Sequence, residues 1–355
     1  MKPDWSQPLS SIQVLDLSEG VAAGFTARLF AQLGAKVRRG RGATLHDVPY
    51  ETQGAPEDLQ IRVNRYLHRG KVSFDLDDLS LSDPANLAPL AKDVDVVIHD
   101  RGETFGKALL NLPAERPLRV ISLSPLGWSG PYKDWAADGL LVQALAGIAT
   151  LVGSPKREPL MLPGFTIQYA AGSIAFIAGM AMLLGRNKLE RHVHVTEFET
   201  GSTLHQFTYL AYTRLGWVRK RGQFMLPTAT YMKCSDGQIV IAAVKPNHWS
   251  ALAIACGRAD LLERPGLGTF LERRLQSELV ESALAPWFEA RSAETAFEEL
   301  CSVGVPAAIL KGPGHAAGDP QFKFRHFVGG DRMAGGGLPV PFLLNGVRPG
   351  KVAIS

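Results

Sequence analysis

The sequence predicts an α/β fold: a large domain built on a parallel sheet with helices on both faces, then a smaller α+β domain. Three observations carry this. Short β-branched runs alternate with helical patterns through the first half of the chain, and strand-helix-strand repetition is the signature of a parallel sheet. These strands are apolar on both faces, as a sheet buried on both sides requires. From about Trp217 the texture changes to one hairpin and a run of amphipathic helices. With 355 residues the chain is long enough for two cores. The expected boundaries are 1–216 for the large domain and 217–318 for the small one. A Gly- and Pro-rich segment, 319–355, is expected to return to the large domain.

The elements follow in order. IQVLDLS (12–18) is the first strand. GFTARLFAQLG (24–34) is a helix, with Phe25, Leu29, Phe30 and Leu33 at helical spacing and Gly34 as its stop. AKVRR (35–39), KVSFDLD (71–77), VDVVIHD (94–100) and LRVISLS (118–124) are further strands, and ANLAPLAKD is a helix between the second and third of these. The stretch LMLPGFTIQYAAGSIAFIAGMAMLL (160–184) ends in a helix of small residues, among them Ala171, Gly172, Ala175 and Gly179. Such a helix lets another backbone approach closely. It is a poor membrane span, and no membrane association is expected. Phe165-Thr166-Ile167-Gln168 reads as a strand or loop feeding that helix. In the small domain TATYMKCSDGQIVIAA (228–243) is a hairpin turning at Asp236-Gly237. HWSALAIACG, LVESALAPWFEAR and AETAFEELCSVG are helices there, and VPAAILKG (305–312) is a last strand.

Composition narrows the function. A net charge of +4 suits small anionic ligands, and without a basic stripe it gives no reason to expect nucleic acid. Cys234, Cys256 and Cys301 have neither metal spacing nor a disulfide framework, so they read as reduced thiols of a cytoplasmic protein with no metal. MKPDWSQPL has no apolar run, so no signal peptide is expected. A dinucleotide enzyme is the obvious doubly wound candidate. Against it, the turn after the first strand, Ser18-Glu19-Gly20-Val21-Ala22-Ala23-Gly24, lacks G-x-G-x-x-G, and the second strand ends in arginines. An NAD(P)-dependent oxidoreductase is the distant alternative.

Motifs through nearly the whole chain resemble the class III CoA-transferase family, which includes formyl-CoA transferase and the α-methylacyl-CoA racemases. LSSIQVLDLSEGVAAGFTARLFAQLGAKV (9–37) is similar to the family's opening. HRGKVSFDLD (68–77) resembles N-R-G-K-R-S-x-x-L-D, and VDVVIHDRG (94–102) resembles D-V-x-x-E-N-F-R-P-G. VISLSPLGWSGPY (120–132), DGLLVQALAGIATLVG (138–153), HVHVTEFETG (192–201), YMKCSDGQIVIA (231–242) and GVPAAILKGPGHAAGDPQF (304–322) resemble its later signatures. The resemblance implies a Rossmann-like large domain without a nucleotide fingerprint, and two chains threaded into an interlocked dimer. It implies coenzyme A or an acyl-CoA as ligand on the large domain. The positions that match cofactor-contacting ones are Ala22, Arg39, Arg41, Leu76, Asp100, Arg101 and Lys107. Glu19, Val21 and Gly24-Phe25 depart from the family's pattern at the first helix.

Chemistry is where the resemblance breaks. The family's transferases use an aspartate four residues before a glycine at the start of the lean helix. It attacks the thioester because it is anionic and becomes an acyl donor. Measured back from Gly172, that position holds Gln168, whose neutral amide can do neither. The racemase branch also needs a histidine about thirty residues earlier, where Asp138 stands before Gly139. Asp138 or Glu158 is a possible substitute carboxylate. The favoured expectation is a non-catalytic subunit paired with a catalytically complete homologue, as homodimer or heterodimer architecture allows. A solitary acyl-CoA-binding protein, or an enzyme of divergent acyl-CoA chemistry, is the alternative, with Gln168 donating a hydrogen bond to a thioester oxygen.

Overall fold

A computed structural model of the chain describes residues 4–41, 56–76, 84–113, 118–185, 191–221, 230–312, 314–315, 318–327 and 338–349. Within it the first half alternates as its pattern predicts. Strand β1 (Gln13–Leu17), helix α1 (Val21–Gln32), β2 (Lys36–Arg41), α2 (Glu57–His68), β3 (Val72–Asp75) and α3 (Pro84–Ala91) lead into β4 (Val96–His99), α4 (Glu103–Leu110) and β5 (Arg119–Ser124). Then come α5 (Gly139–Leu145), α6 (Thr166–Leu184), β6 (His192–Thr196), α7 (Glu197–Leu204) and α8 (Gln206–Leu215). The six strands form one parallel sheet in the order β3-β2-β1-β4-β5-β6. This is the doubly wound order, whose direction reverses between β1 and β4. One sheet face buries Phe30, Ile98, Ile121, Ala171 and Ala175 beneath α1 and α6. The other buries Leu15, Leu17, Leu87, Val97, Leu109 and Val120.

The lean helix behaves as its composition requires. A Cβ at Gly172 would lie 2.6 Å from the Ala22 carbonyl oxygen, and one at Gly179 would lie 2.3 Å from Ile121 Cδ1. Thr26 Oγ1 adds a hydrogen bond across the contact to the Gly172 carbonyl, at 3.2 Å. The helix starts earlier than its sequence suggests. Thr166, Ile167 and Gln168 are already helical, although β-branched Thr166 and Ile167 favour strand. Packing overrides propensity: Ile167 is buried with Val142 and Ile148, and Thr166 Oγ1 donates to the Pro163 carbonyl at 2.8 Å. Two further differences appear. Helix α2 has no counterpart among the elements expected from sequence, because only Val63 and Leu67 on it are buried while Leu59 and Ile61 are exposed. Strand β3, expected to be buried on both faces, is largely exposed, because the strand order leaves it at the sheet's edge.

The chain divides into two compact units, one of Met1–Gly222 with His326–Ser355 and one of Gln223–Arg325. In the first, the Leu338 carbonyl accepts hydrogen bonds from Arg28 Nη2 and Gln32 Nε2, at 3.3 and 3.1 Å. The second holds an antiparallel sheet of β7 (Thr230–Lys233), β8 (Gln238–Ile241) and β9 (Ala307–Ile309). Its helices are α9 (Pro246–Ala255), α10 (Asp260–Glu263), α11 (Phe270–Leu275), α12 (Ser277–Glu289), α13 (Ala293–Ser302) and α14 (Pro320–Phe324). The hairpin turns at Asp236-Gly237, and Asp236 Oδ1 accepts the Ala293 N–H at the start of α13. Ile239, Ile241, Trp249, Leu284, Phe288 and Leu300 form the core.

Candidate functional site

In a parallel sheet, ligands approach outside the carboxyl ends of the strands, at the point where strand order reverses. Here that point lies between β1 and β4, and the chain fills it with its own groups. Asp100, the residue after β4, accepts the Glu19 N–H on Oδ1 at 2.9 Å and the Gly20 N–H on Oδ2 at 2.7 Å. Gly20 is the N-cap of α1 and carries no side-chain cap, so the carboxylate takes the anion position that a helix start offers. Arg101 Nε donates to the Leu17 carbonyl at 2.9 Å, and its Nη1 pairs with Glu19 Oε1 at 2.9 Å. Burial pushes the Asp100 carboxyl up to about 6, against the two backbone N–H donors that hold it down.

Beneath this loop, Lys71 of the R-G-K stretch is buried. Its Nζ donates to Asp16 Oδ2 at 2.6 Å and to the Gly24 carbonyl at 2.9 Å. Burial draws the ammonium down to about 8, and the positive charge of nearby Arg39 adds to that. Arg39 itself is buried on β2. Arg41 closes β2 opposite Asp75, and its side chain lies outside the described residues. Leu76 is a packing residue over Gly40. Ala22 is buried with its carbonyl toward Gly172. Lys107 is exposed and pairs with Glu103 Oε1 at 2.8 Å. The structure thus brings Asp100 and Arg101 together at the β1–α1 turn and puts Lys107 on the solvent side of α4.

The second cluster forms where α6 meets α7. Gln168 lies in the first turn of α6 and is 2% exposed; Glu197 is the first residue of α7 and is 3% exposed. Gln168 Nε2 donates to Glu197 Oε2 at 2.8 Å. Among the described residues this is the one hydrogen bond to that carboxylate, and it falls on Oε2. Burial pushes the Glu197 carboxyl up to about 7; the Gln168 amide opposes this, and the charge of Asp100 adds to it. The wall over the amide is Gly139, where a Cβ would come 2.9 Å from Gln168 Nε2. Asp138 is exposed and caps α5, its Oδ1 accepting the Leu140 and Leu141 N–H groups at 3.0 Å each. Glu158 is exposed and paired with Arg157.

Glu197 is the residue that sequence reasoning missed. A signal existed. Thr196-Glu197-Phe198-Glu199 has the T-x-x-E form of a helix start, and Thr196 Oγ1 does accept the Glu199 N–H at 3.1 Å. That start follows a strand, so Glu197 had to stand at the carboxyl edge of the sheet. What the pattern could not say is which of two glutamates turns inward. Glu199 bonds Thr196 Oγ1 through Oε2 at 2.7 Å, and Glu197 enters the interior.

The model of CoA-transferase family III matches residues 9–348. The chain is 26% identical over 344 residues to succinyl-CoA–D-citramalate CoA-transferase of Chloroflexus aurantiacus, an alignment covering 91% of this chain and 83% of that one. It is 24% identical over 322 residues to the succinyl-CoA–L-malate CoA-transferase beta subunit of the same organism, covering 85% of this chain and 78% of the subunit. The fold is similar to that of a CaiB/BaiF family protein from Brucella suis, with a TM-score of 0.81, 22% identity, and coverage of 97% and 94%.

Proposed function

The chain belongs to CoA-transferase family III, and from that membership we propose that it binds an acyl-CoA and acts on the thioester by chemistry that does not run through residue 168. One observation carries this: the buried Gln168 amide donates to Glu197 at 2.8 Å. A neutral amide committed as a donor supplies no anionic oxygen to attack a thioester. The family relationship and the named CoA-transferase relative support an acyl-CoA ligand. A nicotinamide dinucleotide fits poorly, because the turn from Ser18 to Gly24 lacks the G-x-G-x-x-G pattern. The proposal keeps Arg39, Arg41 and Lys107 as the cations for the CoA phosphates, with Ala22, Leu76, Asp100 and Arg101 around them. Calorimetry with CoA tests it. Binding is expected to weaken when Arg39 and Arg41 are both changed to Ala, by roughly 1.5–3 kcal/mol for each charge-assisted hydrogen bond removed. Unchanged affinity would remove the two arginines from the site.

A second reading is favoured by a separate observation. Helix α8 exposes Phe207, Leu210, Tyr212 and Leu215, and α6 exposes Ile177, apolar area of the kind that a partner covers. One relative is named as a beta subunit. On this reading the chain is the non-catalytic subunit of a hetero-oligomer, interlocked with a homologue that keeps its carboxylate. Sedimentation of the pure chain separates the possibilities for assembly: a stable dilute monomer counts against interlocking. Transfer that appears only on mixing with such a homologue would establish the hetero-oligomer. Three unpaired thiols, Cys234, Cys256 and Cys301, suit the reducing cytoplasmic setting that we propose with either reading.

A further inference from the structure

We propose that Glu197 is the nucleophile of this chain, presented to the thioester from α7 at the place where the family's carboxylate would come from α6; this rests on the first of the two readings above. Four features of the site converge on it. Glu197 Oε2 lies 2.8 Å from the Gln168 amide, so its carboxylate is next to the position that in a CoA-transferase makes the attack. The amide engages Oε2, and among the described residues no hydrogen bond falls on Oε1. Glu197 stands at the carboxyl edge of the sheet, directly after β6, where a parallel sheet presents ligands. Gly139 packs so closely on the amide that a Cβ there would lie 2.9 Å from Gln168 Nε2, and this contact holds the amide in place as the donor to Glu197.

The other carboxylates are placed differently, at the surface or tied to backbone N–H groups. Asp138 Oδ1 caps α5 and Glu158 pairs with Arg157 at the surface. Asp100 has an N–H on each oxygen. A carboxyl group that burial has pushed up to about 7 is partly ionised at neutral pH, and its anion is a stronger nucleophile than an ordinary carboxylate.

The steps balance without an added oxidant or reductant. Glu197 Oε1 attacks the thioester carbonyl carbon, the C–S bond breaks, and CoA leaves as thiolate, giving a mixed acyl-glutamyl anhydride. The thiolate then attacks the glutamyl carbonyl carbon and expels the acyl group as a carboxylate. The product is a γ-glutamyl-CoA thioester. An acceptor carboxylate attacks that thioester carbonyl, releasing thiolate and forming a new anhydride. Thiolate attack on the acceptor's carbonyl carbon gives the new acyl-CoA and restores Glu197. Gln168 is a positioning residue here, holding Oε2 so that Oε1 points one way.

The test uses the purified chain with succinyl-CoA and isotopically labelled CoA. Exchange of label is followed, and a parallel sample is quenched with hydroxylamine for peptide mass spectrometry. A hydroxamate on Glu197 is expected, with exchange abolished in Glu197→Gln. Gln168→Ala should keep the adduct and slow exchange about ten- to a hundredfold, the effect of losing one hydrogen bond to a charged group. CoA affinity is measured by calorimetry on the same wild-type sample. CoA bound with no adduct, an adduct on another carboxylate, or exchange surviving in a folded Glu197→Gln would each overturn the assignment. No CoA binding would instead overturn the acyl-CoA reading beneath it. The wild-type mass spectrum decides the matter even if Glu197→Gln does not fold.

Discussion

Two carboxylates stand at the carboxyl edge of one sheet, and the fold treats them differently. Asp100 and Glu197 are both pushed up by burial, to about 6 and about 7. Asp100 receives two backbone N–H groups and sits beside Arg101. Glu197 receives one side-chain amide, and the charge of Asp100 works against it. The difference teaches what a buried charge is for. A carboxylate whose oxygens are all taken by the backbone is a brace, and here it ties β4 to the start of α1. One left half-committed costs stability, and retaining it makes sense where its free oxygen has work to do.

Asp100 is bonded to the N-cap of α1 and Glu197 to a residue of α6, so the largest effect is expected where those two helices meet. Gly172→Ala sets a methyl against the Ala22 carbonyl, a backbone atom that cannot rotate away. Overpacking of this kind typically costs about 1–3 kcal/mol, and a urea titration should show the loss. An unchanged midpoint would mean that the two helices are not locked.

Next comes the brace. Asp100→Ala strands the Glu19 and Gly20 N–H groups and is expected to cost about 1–3 kcal/mol. Glu197→Gln keeps the shape and removes only the buried charge, so near pH 7 it should be neutral or stabilising. Equal losses in the two variants would erase the distinction between brace and reactive group.

The pH dependence sharpens this further. Glu197 is held above its ordinary 4.5 in the folded chain, so between about pH 4.5 and 7 the unfolded chain has released that proton and the folded chain keeps it. The unfolded state then binds fewer protons, and folding stability contributed by this group falls as pH rises through the window. Glu197→Gln should therefore gain on the wild type from pH 4 to pH 8, by on the order of 3 kcal/mol at most. A difference that stays flat across that range would show that Glu197 titrates normally. The smallest effect belongs to Lys107. Its exposed pair with Glu103 should contribute little to stability because solvent screens it, so any clear loss of CoA affinity in Lys107→Ala reports on ligand and not on fold.

By itself the sequence determined the alternation of strands and helices, the hairpin at Asp236-Gly237, the lean helix and the amide at 168. Each is a local matter: a period, a turn pair, a run of small residues, one letter in a motif. Tertiary structure decided the rest. Asp100 is matched to N–H groups eighty residues earlier in the chain, and Gln168 meets a carboxylate twenty-nine residues later, neither at a spacing that any periodicity encodes. The start of α6 at Thr166 was set by burial of Ile167 against the chain's propensity. Strand β3 gave up its expected burial to an edge position. Local patterns fix which elements form, because they follow from backbone sterics and side-chain alternation. Which polar groups share the interior depends on how the sheet orders its strands, since a buried charge is tolerated only where a distant donor is brought to meet it.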